Sequence, residues 1–321
     1  MADLPEDRIT PGPPFTAVGV DTFGPWNVVV RKTRGNHATQ KRWAILFTCL
    51  TIRAVHIEIV EEMTSSSFIN ALRRVVALRG EIKELRSDRG TNFIGAADSI
   101  KAEVINVEDK VVKTYLSRSG ITWKFNAPHS SHMGGVWERM IGVSRRILDS
   151  MLAECKGKLT HEVLTTFMAE VCTIINSRPI TTISYDPDMP MVLTPSLLLT
   201  QKVPGHPAMS EGFDIKDIYK AQWRHVQVLA DTFWKQWKEH FLNTLQVRRK
   251  WTKDHQNLKV GDVVLLKDNA LARFEWPTGV VQRVFPSEHD GRVRKVEVRI
   301  IKDGKTTLFT RPVTEMVLLI D

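Results

Sequence analysis

The order in which two hydrophobic periods alternate along the chain does most to limit its fold. Strand-like patterns come first. "FTAVGVDTFG" (residues 15–24) is rich in β-branched residues and reads as a buried strand. "RKTRGNHATQK" (residues 31–41) reads as a polar, basic turn. "RWAILFTCLTIRAVHIEIV" (residues 42–60) reads as two strands about a short turn near residues 51–53. Together these predict a set of three antiparallel strands joined by hairpins. The period then lengthens. "TSSSFINALRRVVALRG" (residues 64–80) has a polar N-cap run, a helical apolar period and a terminal glycine, and predicts a helix. "IKELRSD" (residues 82–88) is a short strand ending at an acid. A helix over about 98–117 follows, then the strand "ITWKFNA" (residues 121–127). A long amphipathic helix comes next, with Gly134 and Gly135 directly before it and Glu138 in its first turn. The order βββαβαβα predicts an α/β fold with a mixed sheet flanked by helices, not a doubly wound parallel sheet.

Beyond this point the pattern is helical and then all-β. Residues 160–178 form a helix by period, and residues 177–200 are proline-rich and read as extended. A helical stretch with a bend runs over about 214–254. Its stripe of Trp223, Phe233, Trp234, Trp237, Phe241 and Trp251 reads as core or helix-packing surface. From Leu258 short strands and Gly- or Asp-containing turns suggest a small barrel. The expected organisation is an arm (1–14), a core (15–200), a helical connector (201–257) and a C-terminal barrel (258–321). A chain of 321 residues can bury two cores.

Several classes are excluded or favoured by the totals. No apolar run is long enough to span a bilayer, and the start lacks a secretory pattern. Cys49, Cys155 and Cys172 form no CxxC pair, which argues against a disulfide framework or zinc finger and for reduced thiols in an intracellular protein. A net charge of +9 favours a polyanionic partner, either nucleic acid or an anionic membrane surface.

Three acids stand out by context. Asp21 lies inside an apolar strand, where a charge is costly unless it is paired or binds metal. Asp88 ends a strand and could equally form a turn. Glu138 opens a helix and could equally complement its macrodipole. In this element order the three can converge. Converging carboxylates repel each other and need cations, and hard oxygen ligands select Mg²⁺ or Mn²⁺. Two such ions could clamp an in-line phosphoryl displacement. Arg145 and Arg146 follow Glu138 by seven and eight residues, so they share its face and could hold the phosphate strand. Asn92 could position a phosphate or cap the next helix. His129 and His132 precede the glycine pair in a loop that either touches DNA or simply lies at the surface. From Ala221 onward the chain has 18 basic and 12 acidic residues. The cluster of Arg292, Arg294, Lys295 and Arg299 is either a solvated face or a phosphate contact.

"VGVDTFGP", "LRSDRGTNFIGA" and "NAPHSSHMGGVWERMIG" resemble the catalytic core of retroviral-type integrases. The resemblance is strongest to integrases of BEL/Pao-type long-terminal-repeat retrotransposons. It continues through "NSRPIT", "LTPSLLLT", "FWKQWKEHFLNTLQVRRKW" and "VGDVVLLKDNALARFEWPTGVV". It implies an RNase H-like fold with a C-terminal SH3-like barrel and a metal triad of Asp21, Asp88 and Glu138 holding two Mg²⁺ (or Mn²⁺) ions. The activity implied is DNA 3′-end processing and strand transfer in the nucleus, by a homo-oligomer acting on element ends and a target duplex. Asn92, His132, Arg145, Arg146, Arg292, Arg294 and Lys295 are the expected nucleic-acid contacts, and no membrane partner is expected. Two features depart from the family. Forty-nine residues separate Asp88 from Glu138, a longer gap than in retroviral integrases. The chain also has no N-terminal His₂Cys₂ zinc ligand set, and reads as beginning in the linker that follows such a module. A different class of function, an integrase-derived nucleic-acid-binding or scaffolding protein without turnover, fits that second departure. A nuclease of RNase H type is a third reading, but it gives the C-terminal half no role.

Overall fold

The computed structural model describes residues 11–33, 36–87, 109–125, 131–155, 159–182, 192–202, 221–245, 257–267, 273–302 and 305–319. For residues 31–33, 36–37, 131–140, 301–302 and 305 only the backbone is described. The chain divides into two compact units, one of residues 1–175 and 211–233, the other of residues 176–210 and 234–321.

The first unit is built on β1 (Ala17–Thr33) and β2 (Asn36–Cys49), which pair antiparallel from Val18 opposite Cys49 to Thr33 opposite Asn36. Both strands run well past the expected boundaries, and most of residues 31–41 belong to the ladder rather than to a turn. The reason is the apolar run Val28–Val29–Val30, whose first two members are buried and keep the hairpin zipped. A register shift between Phe23 and Trp26 lets β1 bend. Gly24 sits there at φ 103°, and a β-carbon on it would lie 3.1 Å from the Arg42 carbonyl oxygen, so only glycine fits.

β3 (Val55–Val60) adds antiparallel to β2. Helix α1 (Ser65–Arg79) follows, capped by the Thr64 hydroxyl, which accepts from the Ser67 amide, and by Gly80 at φ 92°. It buries Phe68, Ala71, Leu72 and Val75. β4 (Glu84–Ser87) returns parallel to β1, with Gly19 opposite Arg86. Helix α2 (Lys110–Arg118) starts at the Asp109 cap, later than expected, and residues 98–108 of the predicted helix lie outside the described residues. β5 (Thr122–Phe125) pairs parallel with β4. Among the described residues the sheet order is β3-β2-β1-β4-β5, a five-stranded mixed sheet of the kind expected from the element order.

Helix α3 (Ser131–Glu154) begins earlier than the glycine pair suggested. Each glycine costs a helix only about 1 kcal/mol relative to alanine, and the apolar positions that follow outweigh this by burying Ile141, Ile147, Leu148 and Met151. Helix α4 (His161–Asn176) buries Val163, Leu164, Phe167, Met168 and Val171.

In the second unit, residues 177–200 are only partly extended. The strands β6 (Thr181–Thr182) and β7 (Val192–Leu193) pair, and "PSLLLT" forms the short helix α5 (Pro195–Thr200). Its proline sits at the helix start, where no amide is needed, and the Thr194 hydroxyl accepts from the Leu197 amide. Helix α6 (Gln222–Leu245) contributes residues to both units. The predicted helix flanks, residues 214–220 and 246–254, lie outside the described residues.

β8 (Val263–Leu266), β9 (Thr278–Pro286), β10 (Val293–Lys302), β11 (Lys305–Pro312) and β12 (Met316–Leu318) form an antiparallel sheet in the order β11-β10-β9-β8-β12. Its core holds Val264, Val281, Val296, Val298 and Met316. The expected aromatic stripe is core in part. Trp234, Trp237 and Phe241 gather around Trp276, at centroid distances of 5.0, 6.0 and 5.6 Å. Trp223 is a correction, because it is 47% exposed, and Trp251 lies outside the described residues. Among the described residues β11 is an edge strand, with Leu308 and Phe309 exposed.

Gly279 lies between β8 and β10, where an added β-carbon would collide with Val298 Cγ1 and meet the Arg299 carbonyl at 3.1 Å. Gly279→Ala should therefore destabilise the chain by about 1–3 kcal/mol. Adding Val298→Ala should cost less in the Gly279→Ala background than in the wild type, a coupling readable from denaturant midpoints.

Candidate metal centre and nucleic-acid interface

Asp21 is the fifth residue of β1, with buried neighbours Val20, Thr22 and Phe23. It is itself half-buried, and its Oδ1 accepts the Thr22 amide at 2.8 Å. β4 lies beside β1 and ends at Ser87, whose hydroxyl accepts the Trp123 indole N–H at 3.1 Å. Asp88, Asn92 and His129 lie outside the described residues. Glu138 is the eighth residue of α3, not in its first turn, so the helix N-terminus does not account for its charge. His132 is likewise helical rather than in a loop. The side chains of Glu138 and His132 are outside the description. Among the described residues there is no group of three or more His, Cys, Asp or Glu that could hold a metal.

Arg145 and Arg146 differ sharply despite their adjacency. Arg145 is half-buried and its Nη2 donates to the Thr22 carbonyl at 3.1 Å. Arg146 is exposed, and its Nε donates to the Gly142 carbonyl within its own helix at 3.3 Å. The sequence showed both as one basic pair; only the packing of α3 against β1 separates them.

β4 has its own electrostatic anchor. Glu84 receives Arg86 Nε at 2.5 Å and Lys124 Nζ of β5 at 2.6 Å. Burial pushes its carboxyl up, but hydrogen bonds from Lys124 and Arg86 outweigh this and hold it below the usual range.

In the C-terminal sheet the basic cluster is also not uniform. Arg294 forms an ion pair with Asp290 through both Nη atoms. Its hydrogen bonds, with that of the Arg292 amide, hold the Asp290 carboxyl down to about 2. Lys295 is exposed, with Nζ 5.2 Å from the Phe285 ring centroid, and Arg283 lies over the same ring at 5.2 Å. Arg283 did not stand out in the sequence. The signal available was its place two residues before an aromatic on the same strand face. Arg311 similarly lies over Phe309, at 5.6 Å. No helix among the described residues is long and apolar enough to cross a membrane.

Residues 221–319 match a family of unknown function, DUF5641. That segment begins one residue before α6 and ends one residue after β12. No curated protein matches the sequence significantly. Among solved structures the chain is similar to the simian T-cell lymphotropic virus intasome in complex with PP2A regulatory subunit B56 gamma, at 12% identity and a TM-score of 0.39, over 100% of this chain and 84% of that one. It is also similar to the HTLV-2 integrase catalytic core domain in complex with magnesium. The trimeric form gives 14% identity and a TM-score of 0.34 over 53% of this chain and 90% of that one. The dimeric form gives 14% and 0.35 over 54% and 92%.

The Glu84 anchor predicts an acid-sensitive fold. A carboxyl held below its unfolded value stabilises the protein above that value, and the contribution is lost as pH falls through the folded value. Stability should thus decline as pH drops below about 4.5. Glu84→Gln should flatten that decline, as measured by urea unfolding between pH 3 and 6 (roughly the carboxylate range).

Proposed function

We propose that the chain is a DNA polynucleotidyl transferase of the retroviral-integrase type, close to those of BEL/Pao retrotransposons, which joins element 3′ ends to target DNA. One observation carries this reading: an acid sits inside the central strand of a mixed sheet, in step with a parallel neighbour. Gly19 is opposite Arg86, and Asp88 follows Arg86 by the same two residues by which Asp21 follows Gly19. Glu138 comes from α3, the helix tied to β1 at Thr22.

Asp21, Asp88 and Glu138 offer only carboxylate oxygens, a donor set that fits Mg²⁺ or Mn²⁺. Two such ions, when bound, would stabilise charge on the attacking and leaving oxygens of a phosphoryl transfer. The chain's own residues do the rest. The Thr22 amide orients the Asp21 carboxylate. Arg146 and, in the other unit, Arg283, Arg292 and Lys295 supply exposed cations for phosphates. Arg294 is less available, because Asp290 already holds it. The reaction is hydrolysis at a 3′ end, then attack of the freed 3′-OH on a target phosphodiester. On this reading the protein acts in the nucleus as a homo-oligomer on DNA.

Asp88→Asn should lower strand transfer by at least on the order of 10³-fold while leaving cooperative unfolding intact. Wild-type joining by that variant, in an oligonucleotide assay with Mg²⁺, would remove the metal triad from the reading.

The C-terminal sheet should grip duplex DNA through phosphates alone, since the described residues from Asn257 onward include no α-helix that could enter a major groove. Each cation engaged contributes about 0.9 to the slope of log affinity against log salt. Lys295→Ala should reduce that slope more than Arg294→Ala does, and Asp290→Asn, which releases Arg294, should steepen it. Equal effects of the two basic substitutions across a salt titration of the full chain would contradict the assignment.

A further inference from the structure

We propose that Arg145 is a positioning residue: it locks the helix that carries Glu138 to the strand that carries Asp21. The inference rests on the metal-triad reading above and adds to it a residue that touches neither metal nor DNA. Arg145 follows Glu138 by seven residues, which is about 20° short of two full turns and about 10.5 Å along the axis. The two residues therefore lie on one side of α3. The Nη2 atom of Arg145 reaches the carbonyl oxygen of Thr22, the residue after Asp21, at 3.1 Å. Thr22 is 2% exposed, so this is a charge-assisted hydrogen bond to buried backbone.

Three features make the bond a lock rather than an incidental contact. Arg145 lines a small, mainly apolar cavity together with Phe23 and Leu46 of the sheet and Ile141 and Leu148 of its own helix. Most surrounding contacts between α3 and the sheet are apolar and non-directional and permit sliding, which directed hydrogen bonds do not; the other directed bond to β1, from Trp26 Nε1 to Asp149 Oδ1 at 3.2 Å, lies four residues further along α3, farther from Glu138. The bonded carbonyl belongs to the same stretch of backbone whose amide holds the Asp21 carboxylate. A shift of α3 would be transmitted to Glu138 directly and to Asp21 through one peptide unit. Catalytic geometry tolerates errors of only about 0.5 Å. An arginine placed here is also withdrawn from the phosphate-binding role that its exposed neighbour Arg146 can fill.

The test uses the full chain without DNA, with Mn²⁺ alone as the probe. Binding is followed by calorimetric titration, and melting is recorded with and without the ion. Arg145→Met should weaken Mn²⁺ binding at least tenfold and shrink the metal-induced rise in melting temperature, while metal-free melting stays cooperative. Arg145→Lys, which keeps a donor on a long stem, should recover part of the affinity. Arg118→Met, which removes an exposed cation from α2, should bind as wild type. If Arg145→Met does not fold, Arg145→Gln replaces it; its shorter side chain cannot reach Thr22, and at least threefold weaker binding is expected. Wild-type Mn²⁺ affinity in a folded Arg145→Met or Arg145→Gln protein, with Asp21→Asn impaired, would overturn the positioning role alone. Wild-type affinity in Asp21→Asn would overturn the metal centre and the positioning role with it.

Discussion

The first unit is organised by the two-sided hydrogen bonding of β1. On one side β1 meets β2 antiparallel, and on the other it meets β4 parallel. An antiparallel neighbour can follow through a tight hairpin, but a parallel one needs a crossover, and α1 supplies it. The change of direction also sets where function can lie. In open α/β sheets, crevices form at the carboxyl ends of strands where the connections diverge. Asp21 lies past the last described β1–β4 pair, on the strand that borders this divergence.

The second unit is organised by aromatic packing instead. Trp276, from the loop before β9, receives edge-on contacts from Trp234, Trp237 and Phe241. Leu242 continues the contact to Leu265 and Val317. The second half of α6 is thus part of the core of the C-terminal sheet rather than a tether to it. This agrees with a family whose bounds, 221–319, take helix and sheet together. Of the cations of β9 and β10, Arg283 and Lys295 lie over Phe285 and Arg294 is held by Asp290, whereas Arg299 has its Nε and Nη2 atoms buried.

The element order and the mixed character of the sheet could be read from the sequence because periodicity and chain order constrain topology strongly. Thr64 and Gly80 marked both ends of α1, since capping chemistry is local. Other elements depended on contacts that the sequence does not display. The hairpin of β1 and β2 is longer than its composition suggests, because Val28 and Val29 find buried sites that outweigh the polar residues beyond them. The helix α3 passes through Gly134–Gly135, because its later apolar face secures it. In the site, Asp21 was legible as a charge out of place. The difference between Arg145 and Arg146 was not, because which of two adjacent arginines meets a backbone carbonyl depends on helix rotation against the sheet. The same holds for Arg294, whose partner lies across a tight turn.

Among the described residues β11 leaves one row of backbone donors and acceptors without a neighbouring strand inside the sheet, and it exposes Leu308 and Phe309. Such an edge invites pairing with a second chain, and proteins commonly guard it with charge. Here the guard includes Arg311, which stands over Phe309 near the strand's end and pairs with Glu315 at 3.9 Å. Repulsion between like charges works only within a Debye length, about 10 Å at 0.1 M salt and about 3 Å at 1 M. The charge that guards this edge is therefore screened as ionic strength rises.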